Sequence, residues 1–533
     1  MRKLITLGLA LGVTLGSYAQ TPEVFKQWGD DCFDFIDHHF RKNSYKYLYD
    51  EDSNGNSPSF AWPTGIQLKA VLYAGQLEKA AGYAKEFDTN YYYFDKNYGG
   101  YDASCHGRGG RHYDDNAWMV KDYMEIYEAT GERSFLTLSQ KILLFCMSGE
   151  CPSGGIRFKE EFSDPSHEEY DVFATCATAP TAVANLQLYL ATKQEKYLED
   201  GKRLYEVMKN APWGIGPGFR GYENAVIMEA AILLYKATNE EVYLKDAQHL
   251  GHAMEAYYIS WQTGALNECG KWGGHDMTDA YVEMYKVDGD QNWLDIAARY
   301  LTYLHDKCRS DNGAYPVMWN AMENNDPDLL IEQASAASAF YKMAMTPGGN
   351  PDKKEPVAIF QNEAQNSNGK GWGWSIGLNP GYYTKEDLIF LGAVDTRFNF
   401  TPDISSVYVP KGYKLTLYDE TGASMEFTRP TNFLNEWDNR AVAVKVEDLA
   451  TGIQQESVSG VEAFFAEGKE QLIIQNLPEQ SKLEMFDLSG RKLRSESLSG
   501  VSTYSMDVAE LSEGVYMLCI SLNGETQTLK ICK

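Results

Sequence analysis

The chain has 533 residues and a formal net charge of −27, with 75 acidic against 48 basic side chains. This length predicts several domains, and the hydrophobic share of 44% is enough for a large core. The acidic balance argues against a nucleic-acid partner and favours a neutral or cationic one. The aromatic share of 13% is compatible with carbohydrate stacking and equally with ordinary packing.

The first 19 residues resemble a secretory signal peptide. Arg2 and Lys3 precede an apolar run from Leu4 to Leu15, and the small-x-small sequence 17–19 is a typical cleavage site. No later segment is long and apolar enough to span a membrane. We therefore expect a secreted protein, at the cell surface or outside the cell, with the periplasm as the alternative.

Residues 20–345 carry apolar residues at helical spacing. A sequence repeat supports this: the turns at 130–132, 192–194, 238–240 and 288–290 each precede a polar helix start and an aromatic-Leu pair. The pattern predicts twelve helices: Val24–Phe40, Pro63–Tyr73, Leu77–Phe87, Asn116–Ala129, Arg133–Cys146, Pro180–Ala191, Glu195–Lys209, Glu223–Ala237, Glu241–Tyr257, Asp276–Lys286, Asn292–Cys308 and Leu330–Met345.

Short and long connections alternate between these helices. If the helices run up and down, every long connection lies on one face of the domain. Six hairpins that close on themselves form an (α/α)6 barrel, with the even-numbered helices as its inner ring. Functional residues concentrate on loops held by a rigid scaffold, so the long-loop face is the expected site.

The composition changes after this region. A Pro/Gly/Lys-rich linker is predicted at 346–355, a strand-rich domain at 356–446, a second linker at 447–460 and a small β-sandwich at 461–533. The predicted strands are Val357–Gln361, Ser405–Val409, Lys414–Tyr418, Val442–Val446, Gln471–Gln475, Lys482–Phe486, Thr503–Met506, Gly514–Leu522 and Thr526–Ile531. The overall prediction is therefore a mainly α protein, a barrel followed by two small all-β domains.

The nine cysteines show neither a disulfide framework nor the spacing of a zinc site. Cys146 and Cys151 are near enough in sequence to pair, although nothing in the sequence requires it. We expect no metal in the catalytic domain and no cofactor. The sequence leaves the oligomeric state open.

The main catalytic candidates are Asp114 and Asp115, where a Gly/Tyr-rich loop runs into a helix. The structural alternative is that the Asp pair only caps the helix, where the positive end of the helix dipole stabilises its negative charge. At the first turn of a helix, however, both side chains can lean into one cavity. Two carboxyl groups about 5 Å apart are typical of a retaining glycosidase.

Aromatic and glycine-rich loops lie on the same predicted face. Flat rings stack on sugar faces, and glycines let the backbone approach a ligand. Ordinary turns and lid packing explain such loops equally well. The loops are Tyr91–Phe94, Gly154–Phe158, Trp213–Gly216, Gly270–His275 and Tyr315–Trp319.

The run from Tyr113 to Met119, YDDNAWM, resembles the motif of glycoside hydrolase family 76, the α-1,6-mannanases. Asn97–Tyr101, Gly154–Ile156 and Leu329–Ala344 support the resemblance, which covers about residues 22–345. It implies an (α/α)6 barrel, an α-mannan polysaccharide as substrate, Asp114 as nucleophile and Asp115 as acid/base. The substrate-binding candidates are Tyr113, Trp118, Arg157, Phe158, Tyr222, Asn224, Trp272 and His275.

Two further resemblances concern the β regions. Residues 356–446 resemble a βγ-crystallin-type domain through Val409–Tyr418 and Trp437–Ala441. Such domains often bind calcium, but the hydroxyl and acidic ligands of the motif are incomplete at 401–406 and 438–443, so calcium is not expected. Residues 461–533 are similar to the C-terminal sorting domain of type IX secretion, through Leu483–Lys492 and Leu511–Tyr516.

The sequence therefore predicts a secreted, retaining endo-α-1,6-mannanase. Two alternatives stay open. A transglycosidase would resolve the same covalent intermediate with a sugar hydroxyl instead of water. A catalytically inactive barrel would only bind carbohydrate, and the intact Asp pair argues against it.

Overall fold

The computed structural model describes most of the chain from residue 20 onward. The described ranges are 20–95, 97–107, 109–211, 221–320, 329–352, 355–366, 373–394, 403–449, 462–465, 470–477, 480–487, 491–512, 515–522 and 525–532. The predicted signal peptide, the loop at Trp213–Gly216 and most of the linker 447–460 lie outside them. Contacts divide the chain into two compact units, Met1–Glu447 and Asp448–Lys533.

All twelve predicted helices are present in the first unit, together with a short hairpin of strands. In chain order these are α1 (Pro22–His39), α2 (Ala61–Tyr73), α3 (Leu77–Tyr91), β1 (Tyr92–Phe94), β2 (Gly99–Tyr101), α4 (Tyr113–Thr130), α5 (Arg133–Ser148), α6 (Thr175–Thr192), α7 (Glu195–Lys209), α8 (Gly221–Thr238), α9 (Glu241–Tyr258), α10 (Gly274–Asp288), α11 (Asn292–Tyr303) and α12 (Leu330–Ala344). A π-helical turn, Leu304–Cys308, extends α11.

The even-numbered helices form the inner ring. They contact one another in the closed order α2, α4, α6, α8, α10, α12 and back to α2, while α1 packs against α12. Inner helices such as α2 and α12 are buried on nearly every side. The outer helix α7 instead buries one stripe, Gly201, Leu204, Tyr205 and Met208. Helices that are apolar all round belong in a core, and amphipathic ones cover it. The predicted (α/α)6 barrel is confirmed.

The repeated turns work through one residue in the left-handed conformation. Gly131, Lys193, Asn239 and Gly289 have φ between 57° and 72°. Each of them donates its N–H to the carbonyl of a tyrosine four residues earlier, at 2.7–2.9 Å. This geometry satisfies an end carbonyl of the inner helix and reverses the chain within two or three residues. The long connections therefore lie at the opposite end, where the inner helices begin.

Five of the six inner helices begin two to five residues earlier than predicted, and the shifts of α4 and α6 affect the site. Helix α4 begins at Tyr113 instead of Asn116, so the Asp pair lies inside its first turn. Helix α6 begins at Thr175, although Pro180 is a typical helix start. The first turn is nonetheless held by the Thr178 N–H and hydroxyl, which both donate to the Ala174 carbonyl.

The rest of the first unit is a β region with one short helix. Its elements are β3 (Val357–Phe360), β4 (Ser375–Leu378), β5 (Gly381–Tyr383), α13 (Lys385–Phe390), β6 (Ser406–Tyr408), β7 (Tyr413–Tyr418), β8 (Ser424–Phe427) and β9 (Ala443–Asp448). The strand orders are β4-β3-β6 and β5-β9-β7-β8. The four strands predicted here are confirmed, while β4, β5, β8 and α13 were not predicted. The likeness to βγ-crystallins stays a prediction.

The β region packs directly on the barrel. Trp261, just after α9, is buried and lies against Phe360 and Tyr408, with ring centroids 6.1 and 5.0 Å away. Phe390 of α13 contacts His252 of α9 at 5.2 Å. These contacts place the barrel and the β region in one compact unit.

The second unit contains two antiparallel sheets. Its strands are β10 (Glu462–Phe465), β11 (Gln471–Gln475), β12 (Gln480–Asp487), β13 (Lys492–Ser499), β14 (Thr503–Asp507), β15 (Val515–Leu522) and β16 (Glu525–Cys532). The orders are β10-β11-β14 and β13-β12-β15-β16. Alternate residues such as Leu472, Ile474, Leu483 and Met485 fill the core between them.

Candidate active site

Two adjacent carboxylates open the inner helix α4. The preceding residue, His112, is extended at φ −109° and ψ 137°, and Asp114 and Asp115 follow in the first turn. The N–H of Asp115 donates to Asp114 Oδ1 at 2.9 Å. Both residues are half-buried and line the same cavity. The prediction that the pair lies at a helix start on the long-loop face is confirmed.

Asn116 ties the start of α4 to the loop before it. Its side chain is fully buried, and it donates to the carbonyls of Tyr101 and His112 at 3.0 and 2.7 Å. It also accepts the N–H of Tyr101 at 2.6 Å. One amide therefore satisfies three backbone groups and fixes β2 against the first turn that carries the pair.

The loop between β2 and α4 is held by a buried carboxylate, Asp102, and a buried guanidinium group, Arg111. Asp102 accepts the N–H groups of Ser104, Gly109 and Gly110 at 2.8–3.0 Å. Arg111 forms a two-pronged ion pair with Glu160 and another ion pair with Asp95 at 2.9 Å. Planar guanidinium groups suit such clamps because their donors are fixed in direction. The backbone that leads into the Asp pair is therefore held in place.

The two carboxylates have different surroundings. Burial raises the pKa of Asp114 to about 7, and the Asp115 N–H and the Cys176 thiol, both donating to that carboxylate, oppose the rise. Burial, then the charges of Asp114 and Asp102, raise the pKa of Asp115 well above its usual range. Within the described residues its one ion-pair partner inside 4 Å is His112, at 3.8 Å. Burial, then the charge of Lys159, lower the pKa of that imidazole.

This difference separates two chemical roles. Donors stabilise an ionised carboxylate, whereas a neighbouring negative charge in a dehydrated site favours the protonated form. Between the pKa of Asp114, about 7, and the higher pKa of Asp115, the pair therefore holds one proton, which resides mainly on Asp115, with the negative charge on Asp114. An ionised carboxylate can act as a nucleophile, and a protonated carboxyl group beside it can act as a general acid.

The pair opens into a cavity of about 460 Å³. That volume is within the usual range of small-molecule sites, about 300–1,000 Å³. Its lining combines aromatic and apolar groups with charged ones, among them Lys69, Asp122 and Asp276. The ring centroids of Trp118 and Tyr222 are 6.3 Å apart, and Lys121 Nζ lies 4.7 Å from the Trp118 ring.

Seven of the ten predicted site residues line this cavity. They come from four separate stretches of the chain and are Asp114, Asp115, Trp118, Phe158, Tyr222, Trp272 and His275. His275 bonds through Nδ1 with the Gly270 carbonyl at 3.0 Å, and its Nε2 lies 3.4 Å from Asp276 Oδ2. The ring is therefore oriented within the cavity wall.

The other three predicted residues do not line the cavity. Tyr113 is buried, stacks on Phe145 at 4.8 Å and bonds through its hydroxyl with Ser163 at 2.9 Å. Arg157 is buried and donates to the carbonyls of Gly149, Glu150 and Tyr170. Asn224 is fully buried and donates to the Tyr258 hydroxyl at 3.3 Å. Because these side chains serve the scaffold, we leave them out of the proposed site.

Several cavity residues were not predicted. They come from helix starts, from the middle of α2 and α4, and from the loops before α2 and α10, and include Phe60, Trp62, Lys69, Asp122, Cys176 and Lys271. A helical wheel of the inner helices marks Lys69 and Asp122 as charged residues in apolar surroundings, which is a usable signal. Cys176 gave none, because the predicted helix began four residues after it.

Two features are absent from the described residues. No group of three or more His, Cys, Asp or Glu side chains is arranged to hold a metal ion. No helix in those ranges has the length and apolarity needed to cross a membrane. Cys146 and Cys151 are both free thiols.

Comparisons with known proteins agree with this architecture. Residues 26–213 match the model of glycosyl hydrolase family 76, and residues 468–533 match that of a secretion system C-terminal sorting domain. No curated protein sequence matches the chain.

Solved structures of family 76 proteins share the fold. An α-mannanase from Bacteroides thetaiotaomicron is 24% identical, with a TM-score of 0.52 over 60% of this chain and 95% of its own. A mannosidase from the same species is 18% identical, with a TM-score of 0.51 over 60% and 98%. A third family member, from a bovine strain, is 17% identical, with a TM-score of 0.52 over 60% and 77%.

The sequence matches and the shared fold lead to one assignment. Residues 26–213, which lie in the (α/α)6 barrel, resemble glycosyl hydrolase family 76, and residues 468–533 resemble a secretion system C-terminal sorting domain.

Proposed function

We propose that this protein is a secreted, retaining glycoside hydrolase that cleaves α-1,6-mannosidic bonds within α-mannan. The observation that carries the proposal is the Asp114–Asp115 pair in the cavity, with hydrogen-bond donors directed at Asp114 and none of that kind at Asp115 in the described chain. The match of residues 26–213 to glycosyl hydrolase family 76 supports glycoside hydrolysis. The α-1,6 linkage, endo action and retention come from the motif resemblance and are part of the proposal.

In the first step Asp114 acts as nucleophile. Its carboxylate oxygen bonds to the anomeric carbon of the sugar while the glycosidic C–O bond breaks. Asp115 gives its proton to the leaving oxygen, so the departing chain leaves as a neutral alcohol. The product is a glycosyl ester on Asp114 and an ionised Asp115.

In the second step water resolves the ester. Ionised Asp115 takes a proton from the water as its oxygen attacks the anomeric carbon. The ester bond to Asp114 breaks, and both carboxyl groups return to their starting states. Two inversions at one carbon retain the configuration.

Aromatic cavity residues supply the sugar contacts in this proposal. Trp118, Tyr222 and Trp272 offer ring faces, and Phe158 lies beside His112 with ring centroids 5.1 Å apart. Flat apolar faces with a few fixed polar groups are the usual composition of a ligand site. We assign Trp118, Phe158, Tyr222, Trp272 and His275 to substrate binding.

We also propose how the protein leaves the cell. The signal-like residues 1–19 would direct export, and the sorting domain matched at 468–533 is of the kind used by type IX secretion. The expected location is therefore the cell surface or the medium. The proposed domain limits are 20–345 for the barrel, 356–446 for the first β domain and 461–533 for the sorting domain.

Incubation with linear α-1,6-mannan tests the function. Hydrolysis produces new reducing ends, and endo action produces oligosaccharides of several lengths early in the reaction. Products longer than the substrate, without a matching rise in reducing ends, would indicate a transglycosidase. Binding to mannan with no bond cleavage would contradict an enzymatic role. Asp114→Ala is the matched inactive control.

A further inference from the structure

Three charged side chains in the cavity lining are not used by the proposed reaction. Lys69 comes from α2, Asp122 from α4 and Asp276 from α10, and all three line the cavity. They are 3%, 2% and 5% exposed. Charged groups this deeply buried are rare unless they are paired or bind something.

Pairing explains Lys69 but only part of the acidic group. The Lys69 ammonium donates to Asp279, outside the cavity lining, and lies 3.9 Å from Asp276 Oδ1. Asp279 also accepts the Tyr73 hydroxyl at 3.1 Å. The strong partner of Lys69 is therefore Asp279, and among the described residues Asp276 receives only the longer contact and the His275 Nε2 at 3.4 Å.

Asp122 is the least satisfied of these groups. Its Oδ1 accepts no hydrogen bond from any described residue. Gly65 faces the same carboxylate, and a Cβ added there would lie 2.9 Å from Asp122 Oδ2. Burial raises the pKa of this carboxyl group well above its usual range. A buried acceptor without a donor destabilises the folded chain, so Asp122 lowers the free energy of unfolding.

Position on α4 relates Asp122 to the catalytic pair. Seven residues separate it from Asp115, which is about 10 Å along a helix. Side chains of a helix lean toward its N-terminus, so the Asp122 carboxyl group reaches back toward the pair. The intervening space belongs to the same cavity.

We propose that Asp122 and Asp276, oriented by Lys69, bind the hydroxyl groups of the sugar unit that reacts at Asp114. This inference rests on the proposed function and names residues that recognise the sugar through its hydroxyl groups. Hydroxyl groups donate to carboxyl oxygens, and the excess of acid disfavours an anionic sugar. A site that binds substrate hydroxyl groups discriminates strongly against sugars that lack them.

The variants Asp122→Asn and Asp122→Leu test the assignment on α-1,6-mannotriose, with melting temperature measured alongside. We expect kcat/KM to fall about tenfold for Asn and about a hundredfold for Leu, the range of a hydrogen bond to a charged group. The melting temperature should stay equal or rise, because an unsatisfied buried acid is removed. Asp279→Asn is the contrasting variant: its carboxylate is already paired, so it should lose stability.

The outcomes separate this inference from the proposed function. Absence of hydrolysis by the wild-type protein would contradict the proposed function itself. An active wild type with unchanged kinetics in both Asp122 variants would overturn the inference alone. If Asp122→Leu fails to fold, unchanged kinetics in Asp122→Asn overturns it equally.

Discussion

Replacing Asp115 by Asn probes the division of labour within the pair. The variant keeps the side-chain volume and the N–H that donates to Asp114 at 2.9 Å, and removes the transferable proton. General acid catalysis contributes about 10²- to 10⁴-fold to rate. We therefore expect kcat/KM, which reports the first step, to fall by that factor on α-1,6-mannotriose, and by less than about tenfold on an aryl mannoside whose leaving group needs no proton.

The pH profile of kcat/KM gives an independent test of the same variant. In the wild type, activity requires Asp114 ionised and Asp115 protonated. It should fall as the pH drops through about 7, the pKa of Asp114, and fall again as the pH rises through the higher pKa of Asp115. Asn is neutral, as protonated Asp115 is at the first step, so the acidic limb should stay near its position.

In the Asp115→Asn variant the alkaline limb should disappear, because no group remains to lose its proton there. Values of kcat/KM on α-1,6-mannotriose from pH 5 to pH 10, for wild type and variant and with melting temperature as the folding control, measure both limbs. Equal rate losses on the two substrates, or an alkaline limb that persists, would refute the acid role. Exchanged roles for Asp114 and Asp115 would then be the hypothesis to test.

Three further predictions concern the surroundings of the pair. Cys176→Ala should move the acidic limb to higher pH while Cys176→Ser holds it near the wild-type position, since the thiol donates to Asp114; equal limbs in both variants would contradict this. Trp272→Ala should weaken oligosaccharide binding by about 1–3 kcal/mol, by analogy with stacking of bases on aromatic rings, and calorimetric titration measures it. Asn116→Ala should lower the free energy of unfolding by at least about 1–3 kcal/mol, because it leaves buried backbone groups of Tyr101 unpaired. Denaturant titration at fixed pH checks that value, and an unchanged midpoint would refute it.

The helical part of the fold was predictable because its signals are local. Inner helices are apolar on all sides, outer ones carry a stripe, and a left-handed residue such as Gly131 or Asn239 marks each short turn. The alternation of short and long connections then predicts which helices form the inner ring of the barrel. The β region was less predictable, since strands of three or four residues such as β5 and β8 show too few alternations to stand out.

The cavity residues that belong to one contiguous motif could be predicted from the sequence. Those that distant helices bring together could not. Asp114, Asp115 and Trp118 lie within one turn or so of each other. Lys69, Asp122 and Cys176 line one cavity only because the barrel closes, and no spacing in the sequence indicates that they share it. Arg157 shows the converse: its loop touches the cavity through Phe158, while its own side chain donates to backbone carbonyls.

Trapping the covalent intermediate tests the central claim most directly. A fluorinated mannoside with a good leaving group reacts readily in the first step and slowly in the second, so the glycosyl ester accumulates. Mass spectrometry of the digested protein should find one sugar attached to the peptide that contains Asp114, and none in Asp114→Ala. A label on a different residue, or hydrolysis of the same reagent with inverted configuration and no label, would contradict the account.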